Sequence, residues 1–380
     1  MSSTTIANIG VGPQGDALSD ESVQDRLLQG VSRTFALTIP QLPVALARVV
    51  GNAYLLCRIV DTIEDEAELG AEQKRQFCDG FAQVVAGVED PERFAGELGP
   101  LLSERTLPAE RELVAETPRV MRINAGFNPV QREALEICVR IMAEGMAEFQ
   151  ENRGARGLER LTHLDRYCYH VAGVVGEMLT RLFCDYSPAI ACHRERLMEL
   201  AVSFGQGLQM TNILKDVWDD QTRGVCWLPQ EVFTGTGFDL ADLQPGCYRE
   251  GFGEGLGQLI GLTHAHLRNA LTYTLLIPPE ETGIRNFCLW ALGMAVLTLR
   301  KINRNRDFNS GRQVKISRRS VKATILATRL TVGHDHLLRS LFFLAGRGLP
   351  FDSANKRPRA RGSAAGAPGQ DAAPRAGHGE

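Results

Sequence analysis

Two helix-length stretches of this chain end in carboxylate clusters although their surroundings are apolar. Asp61, Glu64 and Asp65 close the first, and Asp216, Asp219 and Asp220 close the second. In each, the acids stand at i, i+3 and i+4, which is one face of an α-helix. Upstream, the first face continues through Tyr54 and Arg58, at i and i+4 with Asp61 and Asp65 at i+7 and i+11. The second continues through Gln209 and Asn212 in the same way. Leu55, Leu56, Ile59 and Val60 surround the first stripe, and Leu208, Met210, Ile213 and Leu214 the second. A solvated acidic face does not sit among such neighbours. Buried polar groups need partners, and buried like charges need a cation. The pattern therefore demands a fold that encloses a cavity with a polar end. Mg²⁺ suits it best, with Mn²⁺ as the alternative: a hard cation takes oxygen ligands and binds through one or two carboxylates plus substrate phosphates. Two clusters facing one another would clamp a diphosphate.

Helical periodicity runs through the rest of the chain. It predicts helices over 21–29, 33–36 running on through 42–66, 71–87, 109–122, 129–152, 163–184, 190–221, 256–276, 283–302 and 315–346. Breakers fall between them at Asp90-Pro91, Gly99-Pro100, Asn128-Pro129, Ser187-Pro188 and Pro278-Pro279. Strand-like alternation is scarce, so the expected fold is an all-α bundle around a deep pocket. The Gly-rich stretch from Thr234 to Gly257 reads as a long surface excursion. Its glycines do not match GxGxxG and follow no strand, which excludes a dinucleotide loop. We expect a flexible segment over 1–20, one catalytic domain over 21–350, and a disordered tail rich in Ala, Gly, Pro and Arg over 351–380.

Composition narrows the function. A net charge of −3 and the lack of any zinc-finger or RNA-binding motif give no support for nucleic-acid binding. Nine cysteines without a CxxC pair favour a reducing compartment. No charged segment leads into an apolar one at the N-terminus, and the longest apolar run, Phe287 to Leu299, is too short to span a bilayer. The expectation is a cytoplasmic protein, with peripheral membrane contact as an option and a monomer as a plausible state.

Six segments taken together are specific. They are Ser32 to Phe35; Tyr54 to Asp65; Tyr167 to Gly176; Gln209 to Asp220; Trp227 to Glu231; and Arg285 to Cys288. In this order the chain resembles the squalene/phytoene synthase family over about residues 30 to 330, nearest its squalene-forming branch. The resemblance implies an all-α isoprenoid-synthase bundle. It also implies a reaction that joins two farnesyl diphosphates head to head through a cyclopropyl intermediate and then reduces the product with NADPH.

Residue by residue, the resemblance places Asp61, Glu64, Asp65, Asn212, Asp216, Asp219 and Asp220 on the metal–diphosphate face. Ser32, Arg33, Tyr54, Arg58 and Gln209 join them in substrate binding. A guanidinium fork suits phosphate, although an ion pair with Asp61 is the other reading of Arg58. Tyr167 takes the position of the catalytic tyrosine, and Phe35 and Phe287 those of cation-facing rings. Gly173 and Gly176 fall on one helical face, leaving room either for a prenyl chain or for a neighbouring helix. Lys315 and Arg318, with Lys215, are the candidates for the NADPH phosphates, in a basic segment, Val314 to Arg319, that resembles the squalene branch. Three positions depart from that branch: His170 stands where a second tyrosine is usual, Lys215 where Arg is frequent, and Ala291 near a missing proline. They leave a carotenoid-precursor synthase without hydride transfer, and more remotely a non-catalytic scaffold relative, as the alternatives.

Overall fold

Breakers and apolar stripes divide the chain into helices much as their chemistry dictates. The computed structural model describes residues 19–351 apart from 33, 152, 153 and 155, and no strand occurs among the described residues. Arg33, most of the segment 1–20 and nearly all of the tail 351–380 lie outside them. Ser19 caps the first helix, Asp20–Val31, by accepting from the backbone N–H of Ser22. Pro40 and Pro43 break the expected 33–66 run, leaving a 3₁₀ turn at Ile39–Gln41 before the first acidic helix, Val44–Asp65. A helix that periodicity missed, Pro91–Leu98, follows Asp90. There Pro91 is a first-turn residue and the Asp90 side chain caps it, so the supposed breaker is a start signal.

The second acidic helix, Arg194–Thr222, is the axis of the bundle. It packs against Val174–Tyr186, Glu250–Leu276 and Thr282–Arg304. Glycines allow two of its neighbours to come unusually close. A Cβ on Gly205 would sit 2.1 Å from the carbonyl oxygen of Ala172, and one on Gly176 would sit 2.2 Å from that of Ala201. Backbone meets backbone there. Gly176 thus admits a helix, and it also borders the cavity described below.

Two expectations need correction. The surface excursion is shorter than 234–257: it is mostly exposed up to Arg249, held down by the buried Phe238, Leu240 and Leu243, and from Glu250 the chain is already helical. The glycines on the helix are packing residues, for a Cβ on Gly255 would strike Phe233 and one on Gly257 would strike Arg306. Residues 315–346 form two helices, Arg318–Thr331 and Asp335–Ala345. The buried Arg285 fastens the break, donating to the carbonyl of Val332 and pairing with Asp335, both through Nη1.

The apolar run around Phe287 belongs to Thr282–Arg304. That helix is 23 residues long and apolar enough to cross a membrane by length and composition, yet most of its apolar window is buried inside the protein. Burial of this kind is how a core helix passes the same test.

Candidate active site

The apolar stripes of four helices face a common cavity of about 280 Å³. Val50, Ala53, Tyr54, Cys57 and Asp61 contribute from the first acidic helix, at i, i+3, i+4, i+7 and i+11. Ala201, Phe204, Gly205, Leu208, Gln209 and Asn212 contribute from the second. Phe183 and Met178 on Val174–Tyr186 complete the wall, as do Tyr273 and, on Thr282–Arg304, Phe287 and Ala291. Phe35 lies over Tyr54 with ring centroids 5.0 Å apart. Apart from the hydroxyls of Tyr54 and Tyr273, the lining is apolar except where Asp61, Gln209 and Asn212 stand, so the cavity has a greasy body and a polar mouth.

Both acidic helices finish at that mouth. The C-terminal end of a helix carries partial negative charge, and here each also carries carboxylates. Arg223 spans the two clusters: one guanidinium nitrogen lies 2.8 Å from Asp220 and the other 4.0 Å from Asp65. The sequence reading passed over Arg223, which marks the place where a cation is wanted. Burial pushes Asp61 up to about 7, with Arg58 lowering it and Asp65 and Glu64 raising it. Burial likewise pushes Asp220 up to about 6, against the attraction of Arg223 and with repulsion from Asp216 and Asp65.

Such carboxyls hold protons more tightly folded than unfolded. Their contribution to metal-free stability is full below the unfolded range near 3.9 and is lost as pH rises through about 6 to 7. Between about pH 5 and about pH 8 the thermal midpoint of the metal-free protein should therefore fall more steeply than that of Asp61→Asn. Parallel slopes in a calorimetric comparison would remove Asp61 from this role.

The other acids are placed as follows. Asp65 is exposed, Asp216 is partly exposed and pairs with Lys215 at 3.0 Å, and Asp219 is exposed. Lys215 also donates to Asn212. Glu64 is different: it is buried, and the Cys78 thiol feels both its carboxylate and the buried Lys74 ammonium. Among the described residues, no three His, Cys, Asp or Glu side chains converge to hold a metal on their own. The donor set fits Mg²⁺ shared between protein carboxylates and phosphate oxygens, the arrangement this ion prefers.

Arg58 has more partners than the spacing suggested. It pairs with Asp61 at 3.5 Å and, more closely, with Glu110, whose other oxygen accepts from the backbone N–H of Leu107. Its Nε is buried without a partner. Glu66, just past the first acidic helix, accepts from Thr106 and from the backbone N–H groups of Ser103 and Glu68, bonds that hold its carboxyl down at about 2. The helix end and the Arg58 partner are thus tied to one loop. No sequence period links Glu66 or Glu110 to Arg58, so only the fold reveals them. Ser32 is buried and accepts from the Phe35 N–H, while Tyr54 donates to the Val31 carbonyl.

Tyr167 is buried in a core cluster that also holds Phe149, Trp218 and Trp227, and is not among the residues that border the cavity. Its ring stacks on Trp227 at 3.8 Å and 11°, and meets the edge of Phe149. Glu231 accepts from the backbone N–H of Leu161 at 2.6 Å, so the Trp227–Glu231 segment anchors the start of the tyrosine's helix, Leu161–Cys168. A π-helical turn, Tyr169–Gly173, follows at once, and such wide turns recur at functional sites. His170 bonds to the Ile141 carbonyl and packs where any side chain on Gly145 would collide with it. Lys315, Arg318 and Arg319 are exposed. They follow the short helix Gly311–Val314, whose Gly311 would bring a Cβ within 3.3 Å of both Asp216 and Asp219. The basic segment therefore starts beside the second acidic cluster.

Comparison with known proteins agrees with this geometry. Residues 28–320 match the family described as squalene/phytoene synthase. The squalene synthase of Mycosarcoma maydis is 29% identical over 325 residues, covering 80% of this chain and 54% of that protein. That of Saccharomyces cerevisiae is 28% identical over 324 residues, covering 83% and 69%. The chain thus spans a little over half the length of the first of these relatives. Among solved structures, TcSQS in complex with BPH1237 superposes with a TM-score of 0.70 at 23% identity, covering 86% of this chain and 91% of that one. A ligand-bound dehydrosqualene synthase gives 0.59 at 20% identity, covering 81% and 94%. These structures share the all-α fold.

Proposed function

The chain belongs to the squalene/phytoene synthase family, and we propose that it joins two farnesyl diphosphates head to head through presqualene diphosphate and completes the reaction by NADPH-dependent reduction to squalene. One observation carries the proposal: an apolar cavity whose polar mouth lies at the meeting point of two carboxylate-bearing helix termini.

The residues divide the work by chemistry. Asp61, Asp65, Asn212, Asp216, Asp219 and Asp220 would hold the magnesium ions, which when bound neutralise diphosphate charge and assist its departure. Arg58, aligned by Glu110, and Ser32 and Tyr54 beside it would bind diphosphate oxygens; burial raises the Tyr54 pKa and keeps its hydroxyl a neutral donor. The prenyl chains would lie in the cavity. Phe35 and Phe287 border it and would offer ring faces to positive charge on carbon, each worth roughly 0.5–2 kcal/mol by cation–π attraction. An apolar lining also keeps out water, which would otherwise capture the carbocation as an alcohol. Lys315 and Arg318, exposed beside the second acidic cluster, have the charge and access to bind the phosphates of NADPH, which supplies hydride when bound.

The rival reading is a synthase that stops at a dehydrosqualene-type product, favoured by His170 and by Ala291 at the cavity wall. Product analysis separates them. Purified protein with farnesyl diphosphate and Mg²⁺ should give squalene when NADPH is present, and presqualene-derived alcohols or dehydrosqualene when it is withheld. Lys315→Ala with Arg318→Ala should spare the first half-reaction, weaken NADPH and shift the products the same way. An identical dehydrosqualene-type product with and without NADPH would sink the squalene reading.

A further inference from the structure

The last two described helices, Arg318–Thr331 and Asp335–Ala345, both pack on Thr282–Arg304 and turn their remaining faces outward. On the first, Arg319, Lys322, Leu326 and Leu330 fall at i, i+3, i+7 and i+11, and all four are exposed. On the second, Leu338 is buried while Leu337, Phe343 and Leu344 are exposed. Leu330 is 73% exposed and Phe343 72%. Of the 14 exposed large hydrophobic residues among those described, six lie between Leu326 and Phe351. That is a concentration, unlike the scatter of single apolar residues that any surface shows.

Charge is concentrated in the same place. Residues 318–351 hold Arg318, Arg319, Lys322, Arg329, Arg339 and Arg347 against one carboxylate, Asp335, which is paired with Arg285 at 2.8 Å. The chain as a whole carries −3, so the positive face is local. A second copy docked through this face would set cations against cations. Residues 352–380 offer no large apolar side chains to cover it: they contain no Val, Leu, Ile, Met, Phe, Tyr or Trp, and they add Lys356, Arg357, Arg359 and Arg361. A surface that is anionic outside and apolar beneath satisfies both kinds of side chain. Helices with this pattern lie in the plane of a bilayer, apolar side chains at the acyl boundary and cations among the headgroups.

We propose that the helix pair Arg318–Thr331 and Asp335–Ala345 docks this protein onto an anionic lipid bilayer. The docking is peripheral and independent of the reaction proposed above.

The test is co-sedimentation of the full chain with phosphatidylcholine vesicles and with vesicles of phosphatidylcholine and phosphatidylglycerol in equal parts. The wild type should sediment with the anionic vesicles, weakly or not at all with the neutral ones, and release with added salt. Leu330→Ser with Phe343→Ser should lower the partition coefficient at least about tenfold. Lys322→Ala and Arg339→Ala should each lower it about fivefold. All four side chains are exposed, so the variants should melt with the wild type and keep its activity on soluble substrate. Wild-type binding that ignores lipid charge would overturn the proposal, as would a serine variant that binds undiminished. A wild type that stays off both vesicles but is a dimer, and becomes a monomer on the serine changes, would assign the face to a second copy instead.

Discussion

Asp65→Ala and Asp216→Ala should each reduce turnover by at least about 10²-fold, to the limit of detection in a standard assay, while the helical circular-dichroism signal stays at the wild-type level. The two residues stand on different helices that end at one cavity mouth, Asp65 exposed and Asp216 partly so. Neither fills core volume. Removing either one also relieves like-charge repulsion in the metal-free protein, so stability should hold or rise slightly. On the proposed mechanism, what disappears is half of a clamp. Metal binding at the clusters can also be measured without turnover. Mg²⁺ added with inorganic pyrophosphate should raise the melting temperature of the wild type, because a ligand that binds only the folded state stabilises it. Both variants should lose that rise. Full activity in either, or in the wild type under excess chelator, would end the paired-cluster mechanism.

The parts of this site visible in the sequence are those that repeat with the helix. Tyr54, Arg58 and Asp61 share a face because 3.6 residues make a turn, and the same rule brought Gln209, Asn212 and Asp216 into line. The all-α architecture was legible for the same reason. Elsewhere local rules misled. Asp90-Pro91 looked like a break because proline ends helices, yet proline at the first position begins one. The glycines from Gly251 to Gly257 looked like a loop because glycine is a poor helix former, but tertiary contact at Phe233 and Arg306 requires their small size. Glu110 and Glu66 could not be read at all. Their partners lie 52 residues away for Glu110–Arg58, and 37 and 40 residues away for Glu66 with Ser103 and Thr106, and no period connects such distances. The helix pair that ends at Ala345 was expected as one helix, since its apolar pattern barely changes at Gly333, where the chain nevertheless turns.

Tyr167→Phe should slow formation of the cyclopropyl intermediate by about 10²–10⁴-fold, the usual contribution of a positioned proton-transfer group. The change removes one hydroxyl and keeps the ring. Two aromatic contacts hold the ring: the stack on Trp227 at 3.8 Å and the edge of Phe149. Phenylalanine can make both, so melting temperature and circular dichroism should stay close to wild type. Trp227→Leu offers the complementary case. It keeps the hydroxyl but removes the surface against which the ring is held, so it should lower both stability and rate. The geometry sharpens the prediction further, because Tyr167 sits in the core cluster around Trp227 rather than among the residues that border the cavity. On the proposed role, the hydroxyl would serve the departing diphosphate at the end of the substrate rather than the prenyl chain in the cavity. Tyr167→Phe should therefore depress the rate constant of the first half-reaction in single-turnover experiments and leave the affinity for an uncharged prenyl analogue unchanged. An undiminished rate would make Tyr167 a packing residue, and a loss confined to analogue affinity would place its ring on the chain-binding wall instead.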